Sequence, residues 1–262
     1  MPQVPDGPTA SDGTVLPDRR LPTFERDVER MFASIADRYD AFNHVATFGQ
    51  DLLWRPRALW ELDRFHDGPV ARILDVGCGT GGLARLLAQH HPRATVVASD
   101  FSRTMVRTAK RRTRLPRGGR TIGFAVAHIG HLPFRDGTFD VVANAFVARN
   151  LTDLAAAFRE LRRVLRPGGS LLTLEVSEPA SPAVGKLFHA HFDHAVPLIG
   201  RSFGREGPYS YLPRSLRALP PTTRIVQMLG EAGFSRAVAR SMSLGIVSAY
   251  LAATSGPPDG RG

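Results

Sequence analysis

The sequence contains only one cysteine, Cys78, among its 262 residues. A single cysteine excludes an internal disulfide and any zinc site built from several thiolates. No run of apolar residues approaches the length needed to span a bilayer. Residues 1–20 contain Pro, Gly and Asp where a signal peptide would need a basic start and an apolar stretch. These shortages predict a protein of a reducing compartment, and the expected location is the cytoplasm.

Lysine is also scarce, since Lys110 and Lys186 are the only two among 34 basic residues, and the formal net charge is +10. Basic residues concentrate between Arg103 and Arg120, a stretch without an acid. Three interpretations stay open for this stretch: a solvated helix face, a nucleic-acid footprint, and an anchor for anionic lipid headgroups. The third predicts a peripheral position at the inner face of the membrane.

A glycine-rich loop is the most informative feature of the chain. The segment ILDVGCGTGG runs from an apolar strand into Gly77, Gly79 and Gly81, and the segment VVASDFS carries a second strand that ends in Asp100. Glycines let the backbone approach a ligand closely, and a helix N-terminus beyond the loop offers unpaired N–H groups. An acid at the end of the second strand can accept hydrogen bonds from ribose hydroxyls. The pattern predicts a nucleoside-like cofactor.

The identity of that cofactor depends on Asp75, two residues before the first glycine. Gly77, Gly79 and Gly82 also match the dinucleotide pattern GxGxxG, which is a weak signal alone. A carboxylate at Asp75 can bind the amino group of an amino-acid moiety, whereas a pyrophosphate gains nothing from a negative charge there. The pattern resembles motif I of class I methyltransferases, and we therefore favour S-adenosylmethionine over NAD(P).

Alternation of strands and helices predicts an α/β fold with a doubly wound, mostly parallel sheet. The expected architecture has N-terminal helices, an inserted helical cap and an antiparallel C-terminal edge. We predict helices over 24–39, 53–65, 80–90, 102–113, 152–165 and 228–232, and strands over 70–76, 94–99, 121–127, 138–145, 170–176, 234–242 and 245–253. The predicted limits are a disordered leader over 1–22, one domain over 23–254 with a cap at about 177–221, and a flexible tail over 255–262.

Several separated motifs match one family in order. They are VERMFASIADRYDAFNHVATFGQDLLWR, HLPFRDGTFDVV, Arg149-Asn150 followed by LTD, ELRRVLRPGGSLLTLEVSEP, VPLIG, YSYLPRSL and EAGFS. With them the chain resembles the ubiquinone/menaquinone biosynthesis C-methyltransferases over about residues 28–253. This resemblance implies class I, S-adenosylmethionine-dependent methyl transfer to a ring carbon of a polyprenylated quinol precursor, such as demethylmenaquinol, in respiratory quinone biosynthesis.

The resemblance also implies the site residues. The cofactor is expected against Asp75, Gly77, Gly79, Gly81, Asp100, Phe101, His128 and Ile129. The acceptor is expected against Asn43, Phe146, His191, Tyr209 and Tyr211, with Arg149, Tyr39 and Asn150 as catalytic residues.

Arg149 is the residue expected to position the acceptor. Its guanidinium can stabilise a quinolate oxygen or orient a water molecule that removes the ring proton. The alternatives are that Arg149 is a surface residue, that Asn150 caps the following helix, and that Tyr39 only packs. We predict no metal site, because His189, His191 and His194 do not share one helical face.

The chain departs from the family at several positions. Gly82 and His128 each replace an acidic or amide residue, Val147-Ala148 replaces glycine-leucine, and His191 replaces a cap tyrosine. These departures leave open a methyltransferase of another small molecule, such as a natural-product phenol, an amine or a sterol-like acceptor. A non-catalytic binding protein stays open as well, and it predicts no turnover with any quinol.

A nucleic-acid methyltransferase is disfavoured on chemical grounds, and no nucleic-acid partner is expected. Segment 144–147 lacks the prolines of base-amino methyltransferases, and Cys78 lies in the cofactor loop rather than where a cytosine nucleophile is needed. The expected partner is a hydrophobic, quinol-like small molecule. A homodimer stays open.

Overall fold

The structure is a computed structural model, which describes residues 17–18, 23–35, 38–113, 121–202, 211 and 214–256. Most of the predicted leader, most of the predicted tail and Tyr209 lie outside the described residues, as does the side chain of Tyr39. No helix in the described part of the chain is long and apolar enough to cross a membrane.

Some helices precede the first strand, some lie between strands, and some lie in the predicted cap. They are α1 (Phe24–Ile35), α2 (Tyr39–Ala46), α3 (Asp51–Phe65), α4 (Gly82–His90), α5 (Arg103–Arg112), α6 (Leu154–Val164), α7 (Pro182–Ala190), a π-helical turn (His191–Ala195), α8 (Val196–Ser202) and α9 (Thr222–Glu231).

Seven strands form one sheet. They are β1 (Arg72–Val76), β2 (Thr95–Asp100), β3 (Thr121–Val126), β4 (Phe139–Ala145), β5 (Leu165–Val176), β6 (Arg236–Met242) and β7 (Val247–Ala253). Their order is β3-β2-β1-β4-β5-β7-β6. The first five strands pair in parallel, whereas β7 is antiparallel to both β5 and β6.

Strand order fixes where a ligand can bind. Strand β1 lies between β2 and β4, with Asp75 level with Ala98 on one side and Ala143 on the other. The chain runs outward from β1 in both directions, so the crevice beyond its carboxyl end is the expected ligand site of an open α/β sheet. Asp100 is the last residue of β2 and Asp75 is the last but one of β1, so both lie at this edge.

Alternating apolar positions in the strands hold the helices on both faces of the sheet. Ile73 and Val141 pack among side chains of α3 and α4, whereas Leu74 and Val142 face α6 and α9. Caps fix two of the helix starts: Ser102 accepts a hydrogen bond from Met105 N–H at 3.4 Å, and Asp153 accepts one from Ala156 N–H at 2.8 Å. The sheet and its helices thus form a rigid frame for the loops at its carboxyl edge.

Two sequence expectations are corrected here. The single helix predicted over 24–39 is α1, which ends at Ile35, and a second helix, α2, begins at Tyr39. The segment Arg166–Gly169 does not precede β5 but lies within it, where the register with β4 shifts between Phe139 and Val141. Gly168 adopts a φ of +76° there, and an irregularity of this kind needs glycine.

Candidate active site

A cavity of about 710 Å³ opens at the carboxyl edge of the sheet. It begins in the glycine loop after β1, passes the ends of β2 and β4, and reaches helices α1, α2 and α3. The predicted residues that line it are Asn43, Asp75, Gly77, Gly79, Asp100, Phe101, His128, Ile129, Phe146 and Asn150. The fold thus brings residues that are more than 100 positions apart in the sequence, such as Asn43 and Asn150, to one cavity.

The three loop glycines have different roles. All three adopt positive φ, but a Cβ on Gly79 would meet no atom within 4 Å, whereas one on Gly77 would lie 2.4 Å from Val147 Cγ2. A Cβ on Gly81 would lie 3.1 Å from Ala109 Cβ, and Gly81 does not line the cavity. Gly79 therefore leaves space for a ligand, Gly77 lets the loop after β4 come close, and Gly81 packs α4 against α5.

Asp100 is held rigidly by the backbone of both neighbouring loops. Its Oδ2 accepts a hydrogen bond from Gly79 N–H and its Oδ1 one from Ser102 N–H, each at 2.9 Å. Burial raises the pKa of this carboxyl to about 6, although these two hydrogen bonds act against the rise. Each oxygen keeps a further lone pair, so the carboxylate can still accept from two hydroxyls.

Asp75 is a buried acid at the wall of the cavity. Both of its carboxylate oxygens are shielded from solvent and have no hydrogen-bond partner among the described residues. Burial raises its pKa to about 7, while the positive charge of Arg55 opposes the rise in part. An orphaned acid at a cavity wall is costly unless a ligand supplies a donor. An ammonium group supplies such donors.

His128 is bound on both ring nitrogens. Its Nδ1 lies 3.1 Å from Gly130 N–H, which leaves the proton of a neutral ring on Nε2, 3.0 Å from Glu25 Oε2. Thr152 donates to the other oxygen of Glu25 at 2.7 Å. The ring thus ties α1 to the edge of the sheet, and a role of His128 toward adenine stays a prediction.

Arg149 does not line the cavity. It lies in a short 3₁₀ turn after β4, and its guanidinium forms an ion pair with Glu175 on β5, with side chains 5% and 0% exposed. The interpretation of Arg149 as a surface residue is therefore wrong. Its Cζ atom lies 5.5 Å from the ring centroid of Phe146, which does line the cavity. Arg149 thus reaches the cavity wall through Phe146.

Asn150 is oriented by two bonds. Tyr211 O–H donates to its Oδ1 at 3.1 Å, and its Nδ2 lies 3.5 Å from Phe146 O. Because Asp153 caps α6, the alternative that Asn150 is the helix cap is wrong. Tyr211 itself is buried against Phe24, Val28 and Met31. Tyr211 therefore holds Asn150, which lines the cavity, but does not line the cavity itself.

His191 also lies outside the cavity wall. Its Nε2 lies 2.8 Å from Ala46 O, and its ring is 5.3 Å from that of Phe48. Histidines 189, 191 and 194 do not converge as a ligand group. Among the described residues, Asp63, His90 and His91 do bring ligand atoms within 4.8 Å of one another, beside the amino ends of β1 and β2.

Three residues that sequence reasoning missed contribute to the site. Arg55 lines the cavity, with its Cζ 5.5 Å from the Phe146 ring, and Glu175 neutralises Arg149. Asp40 also lines the cavity and accepts from Thr80 O–H at 3.0 Å, which joins α2 to the glycine loop. The one available signal was Glu175, an acid inside the apolar run LLTLEV.

A histidine–carboxylate pair was missed as well. His44 and Asp51 both line the cavity, and His44 Nδ1 lies 3.2 Å from Asp51 Oδ1. Thr47 O–H donates to the same oxygen at 3.1 Å. This pairing leaves Nε2 of a neutral imidazole as an acceptor.

Comparison with known proteins agrees with this geometry. The model of the ubiE/COQ5 methyltransferase family matches residues 21–254. The chain is 41% identical over 206 residues to a demethylmenaquinone methyltransferase of Thermus thermophilus, covering 78% of this chain and 91% of that protein. It is 38% identical over 234 residues to a ubiquinone/menaquinone biosynthesis C-methyltransferase of Syntrophotalea carbinolica, covering 89% and 97%.

The fold has solved counterparts too. A SAM-dependent methyltransferase from Thermotoga maritima superposes with a TM-score of 0.60 at 18% identity, covering 86% of this chain and 99% of that one. This likeness confirms the predicted fold class, a doubly wound sheet with an antiparallel edge. On its sequence, its sheet and its relatives, the chain is an S-adenosylmethionine-dependent methyltransferase that belongs to the ubiE/COQ5 methyltransferase family.

Proposed function

We propose that this protein methylates a ring carbon of a polyprenylated quinol precursor, of the demethylmenaquinol type, in respiratory quinone biosynthesis. The observation that carries the proposal is one cavity whose lining has two unlike parts. Asp75 and Asp100 belong to the acidic part, at the carboxyl edge of β1 and β2, and apolar side chains of α1, α3 and the loop after β4 form much of the rest. The names of the relatives above support the same substrate class.

The residues of the acidic part fit S-adenosylmethionine. The carboxylate oxygens of Asp75, which have no hydrogen-bond partner among the described residues, suit its ammonium group, and the free lone pairs of Asp100 suit its ribose hydroxyls. The open space at Gly79 leaves room for the cofactor close to the backbone of the loop. When bound, it supplies an electrophilic methyl group on a cationic sulfonium. The ammonium group would give Asp75 the hydrogen-bond donors that the described residues do not provide, and its positive charge would favour the ionised carboxylate.

The apolar part of the lining fits a hydroquinone ring and its tail. Val28, Phe32, Leu52 and Pro56 belong to it. Methyl transfer would break the methyl–sulfur bond and form a bond to the quinolate carbon, and the proton on that carbon would then pass to the ring oxygen, which restores the aromatic ring. The transfer disperses charge, so a wall that excludes water favours the step. Holding the two reacting carbons in line removes much of the entropic barrier.

We assign proton removal from the quinol hydroxyl to His44. Asp51 fixes the ring through Nδ1, so Nε2 can take the proton and push negative charge onto the ring carbon. Asp51 is itself buried and accepts from Thr47, which keeps its carboxylate oriented. His44 offers what Arg149 cannot, because a guanidinium does not release its proton at neutral pH.

Arg149 and Asn150 act on the acceptor as positioning residues. The Arg149–Glu175 pair fixes the 3₁₀ turn from which Phe146 and Asn150 face the cavity. Phe146 adopts a φ of +61°, which is rare for an aromatic residue, and its N–H donates to Leu174 O at 2.7 Å. Backbone strain of this kind persists only where surrounding structure enforces it. Tyr39 and Tyr209 keep the acceptor-side roles that the resemblance implies, whereas His191 lies outside the cavity wall.

The location that goes with this function is the cytoplasm, at the inner face of the membrane that holds the substrate. Anionic lipid is one attraction for the basic stretch from Arg103 to Arg120. Part of that stretch is engaged within the protein, since Arg112 pairs with Asp40.

A panel assay tests the proposal. The purified protein is incubated with donor carrying a labelled methyl group and with demethylmenaquinol, a ubiquinone precursor, and unrelated phenols, amines and sterols. We expect label on a ring carbon of a quinol, located by mass spectrometry. Turnover with a phenol, amine or sterol alone would assign the site to another small molecule, and no turnover with any acceptor would indicate a binding protein.

A further inference from the structure

Exposed apolar side chains are concentrated in three segments of this protein. Among the described residues, nine large apolar side chains are strongly exposed, and seven of them lie in these segments. The first segment contains Val45, Phe48, Leu52 and Leu53, at the junction of α2 and α3. The second contains Leu187 and Leu198, on α7 and α8, and the third contains Leu244.

Direct contacts bring the three segments together. The Phe48 ring lies 5.3 Å from the ring of His191, which also approaches Ala46 O, and Leu187 precedes His191 by one helical turn. Trp54 Nε1 donates to Ser243 Oγ at 2.8 Å, which joins the residue after Leu53 to the residue before Leu244. Helix α2 packs on α8, where Val196 is buried against Phe42 and Ala46. These contacts bring the three segments side by side, and their seven exposed side chains are here named the apolar rim.

Two members of the apolar rim are held at strained turn tips. Phe48 has a φ of +51° and is 77% exposed, and Leu244 has a φ of +58° and is 78% exposed. A left-handed backbone is unfavourable for a bulky residue, and exposing its side chain gains nothing in water. Gly49 and Gly245 follow them, so a glycine or asparagine at the tip itself would have formed the same turn at lower cost. The backbone strain at Phe48 and Leu244 therefore indicates that their side chains have a function other than stabilising the fold.

The apolar rim is continuous with the mouth of the cavity. Leu52 is 62% exposed and also lines the cavity, as do His44 and Asp51 from the same junction. A large apolar surface next to a cavity mouth marks a contact with a protein or a membrane. A second copy seated on the rim would cover the mouth at Leu52, whereas a bilayer would bring a tailed substrate to it.

We propose that the apolar rim docks on the bilayer by inserting Phe48 and Leu244 among lipid chains, with the cavity mouth facing the lipid. The choice of a bilayer over a second copy rests on the proposed function. The attachment is hydrophobic, so it is independent of the basic stretch on α5. It places Leu52, at the cavity mouth, where an isoprenoid tail would enter from the membrane.

Co-sedimentation with vesicles of pure phosphatidylcholine tests the rim. The wild-type protein is compared with the double variant Phe48→Asn, Leu244→Asn, because asparagine tolerates the left-handed backbone. The matched control is Val126→Asn, which removes an exposed apolar side chain outside the rim. We expect at least a tenfold loss of partitioning for the double variant, no change for the control, and no release of the wild type by 0.5 M NaCl.

Three outcomes would overturn the proposal. One is equal partitioning of the double variant and the wild type, and another is binding that requires anionic lipid and is reversed by salt. The third is conversion of a dimer to a monomer by the double variant in lipid-free sedimentation velocity runs. Turnover of a short-chain, water-soluble quinol separates the two proposals: retained turnover in the double variant leaves the proposed function intact, whatever the vesicles show.

Discussion

Arg149 and Glu175 form a salt bridge sealed inside the protein, between the turn after β4 and the strand beside it. The side chains are 5% and 0% exposed, and Glu175 also accepts a hydrogen bond from Arg149 N–H at 3.2 Å and one from Val176 N–H at 2.9 Å. A buried ion pair is costly to desolvate, and its loss strands a charge. The pair therefore holds the 3₁₀ turn in one conformation.

Glu175→Gln is expected to destabilise the fold by about 3 kcal/mol or more, because it leaves the Arg149 charge buried without a counter-charge. The double variant Arg149→Met, Glu175→Gln removes both charges and should regain most of that stability. Chemical denaturation measures the free energies of unfolding of the three proteins. Equal destabilisation by the single and double variants would show that the charge balance is unimportant.

Turnover in the same variants separates a structural role from a positioning role. We expect the double variant to remain slow even where its stability returns, with kcat reduced by orders of magnitude and the affinity for S-adenosylmethionine kept. Full recovery of kcat in the double variant would assign Arg149 to stability alone.

His44→Gln is expected to lower kcat at least tenfold without changing cofactor affinity, since glutamine fills similar space but cannot take a proton. Steady-state rates with the quinol measure kcat, and calorimetric titration measures the cofactor affinity. His194→Gln, at an exposed histidine outside the site, is the matched control. An unchanged kcat in His44→Gln would exclude His44 as the proton acceptor.

The convergence of Asp75, Gly79 and Asp100 on one cavity could be predicted from the sequence because its signals are local. These residues lie at or just beyond the ends of neighbouring strands, and parallel pairing alone brings these ends together. The contacts made by Arg149 and His44 could not be predicted in the same way. Glu175 becomes the partner of Arg149 only through the β4–β5 pairing, and the pairing of His44 with Asp51 depends on the turn between α2 and α3. The sequence pattern also could not show that Gly79 leaves open space whereas Gly81 packs α4 against α5, because this difference depends on where the fold places Ala109 of α5.

Gly79→Ala and Gly81→Ala are expected to fail differently. Both place a Cβ on a left-handed backbone, which costs about 1 kcal/mol of stability each. At Gly81 the added Cβ also crowds Ala109 at 3.1 Å, so this variant should be the less stable of the two. At Gly79 the Cβ enters the ligand space, so this variant should lose cofactor affinity at least tenfold. Calorimetry of binding and thermal unfolding should therefore rank the variants in opposite order, and the same ranking in both would contradict the division of roles.

Asp100→Asn should weaken S-adenosylmethionine about a hundredfold, because hydrogen bonds to a charged acceptor are worth about 1.5–3 kcal/mol each. The amide offers one oxygen where the carboxylate offers two, and its NH₂ group would oppose Gly79 N–H or Ser102 N–H. Asp136→Asn, at an exposed acid outside the cavity, is the control. Calorimetric titration measures both, and unchanged affinity in Asp100→Asn would remove Asp100 from the cofactor site.

Asp75 makes stability and cofactor binding respond to pH in opposite directions. Its pKa is about 7 in the native state against an ordinary 3.8, so the native state binds more protons than the unfolded state between those values. Stability of the unliganded protein should therefore fall as pH rises through that window, by on the order of 4 kcal/mol in all. Cofactor affinity should instead rise toward pH 8, because the ionised carboxylate is the form that pairs with an ammonium group. Asp75→Asn should remove the part of both curves that lies above pH 6, because Asp100, with a pKa of about 6, keeps a pH dependence below it. A pH-independent affinity in the wild type would show that the Asp75 carboxylate does not meet the cofactor.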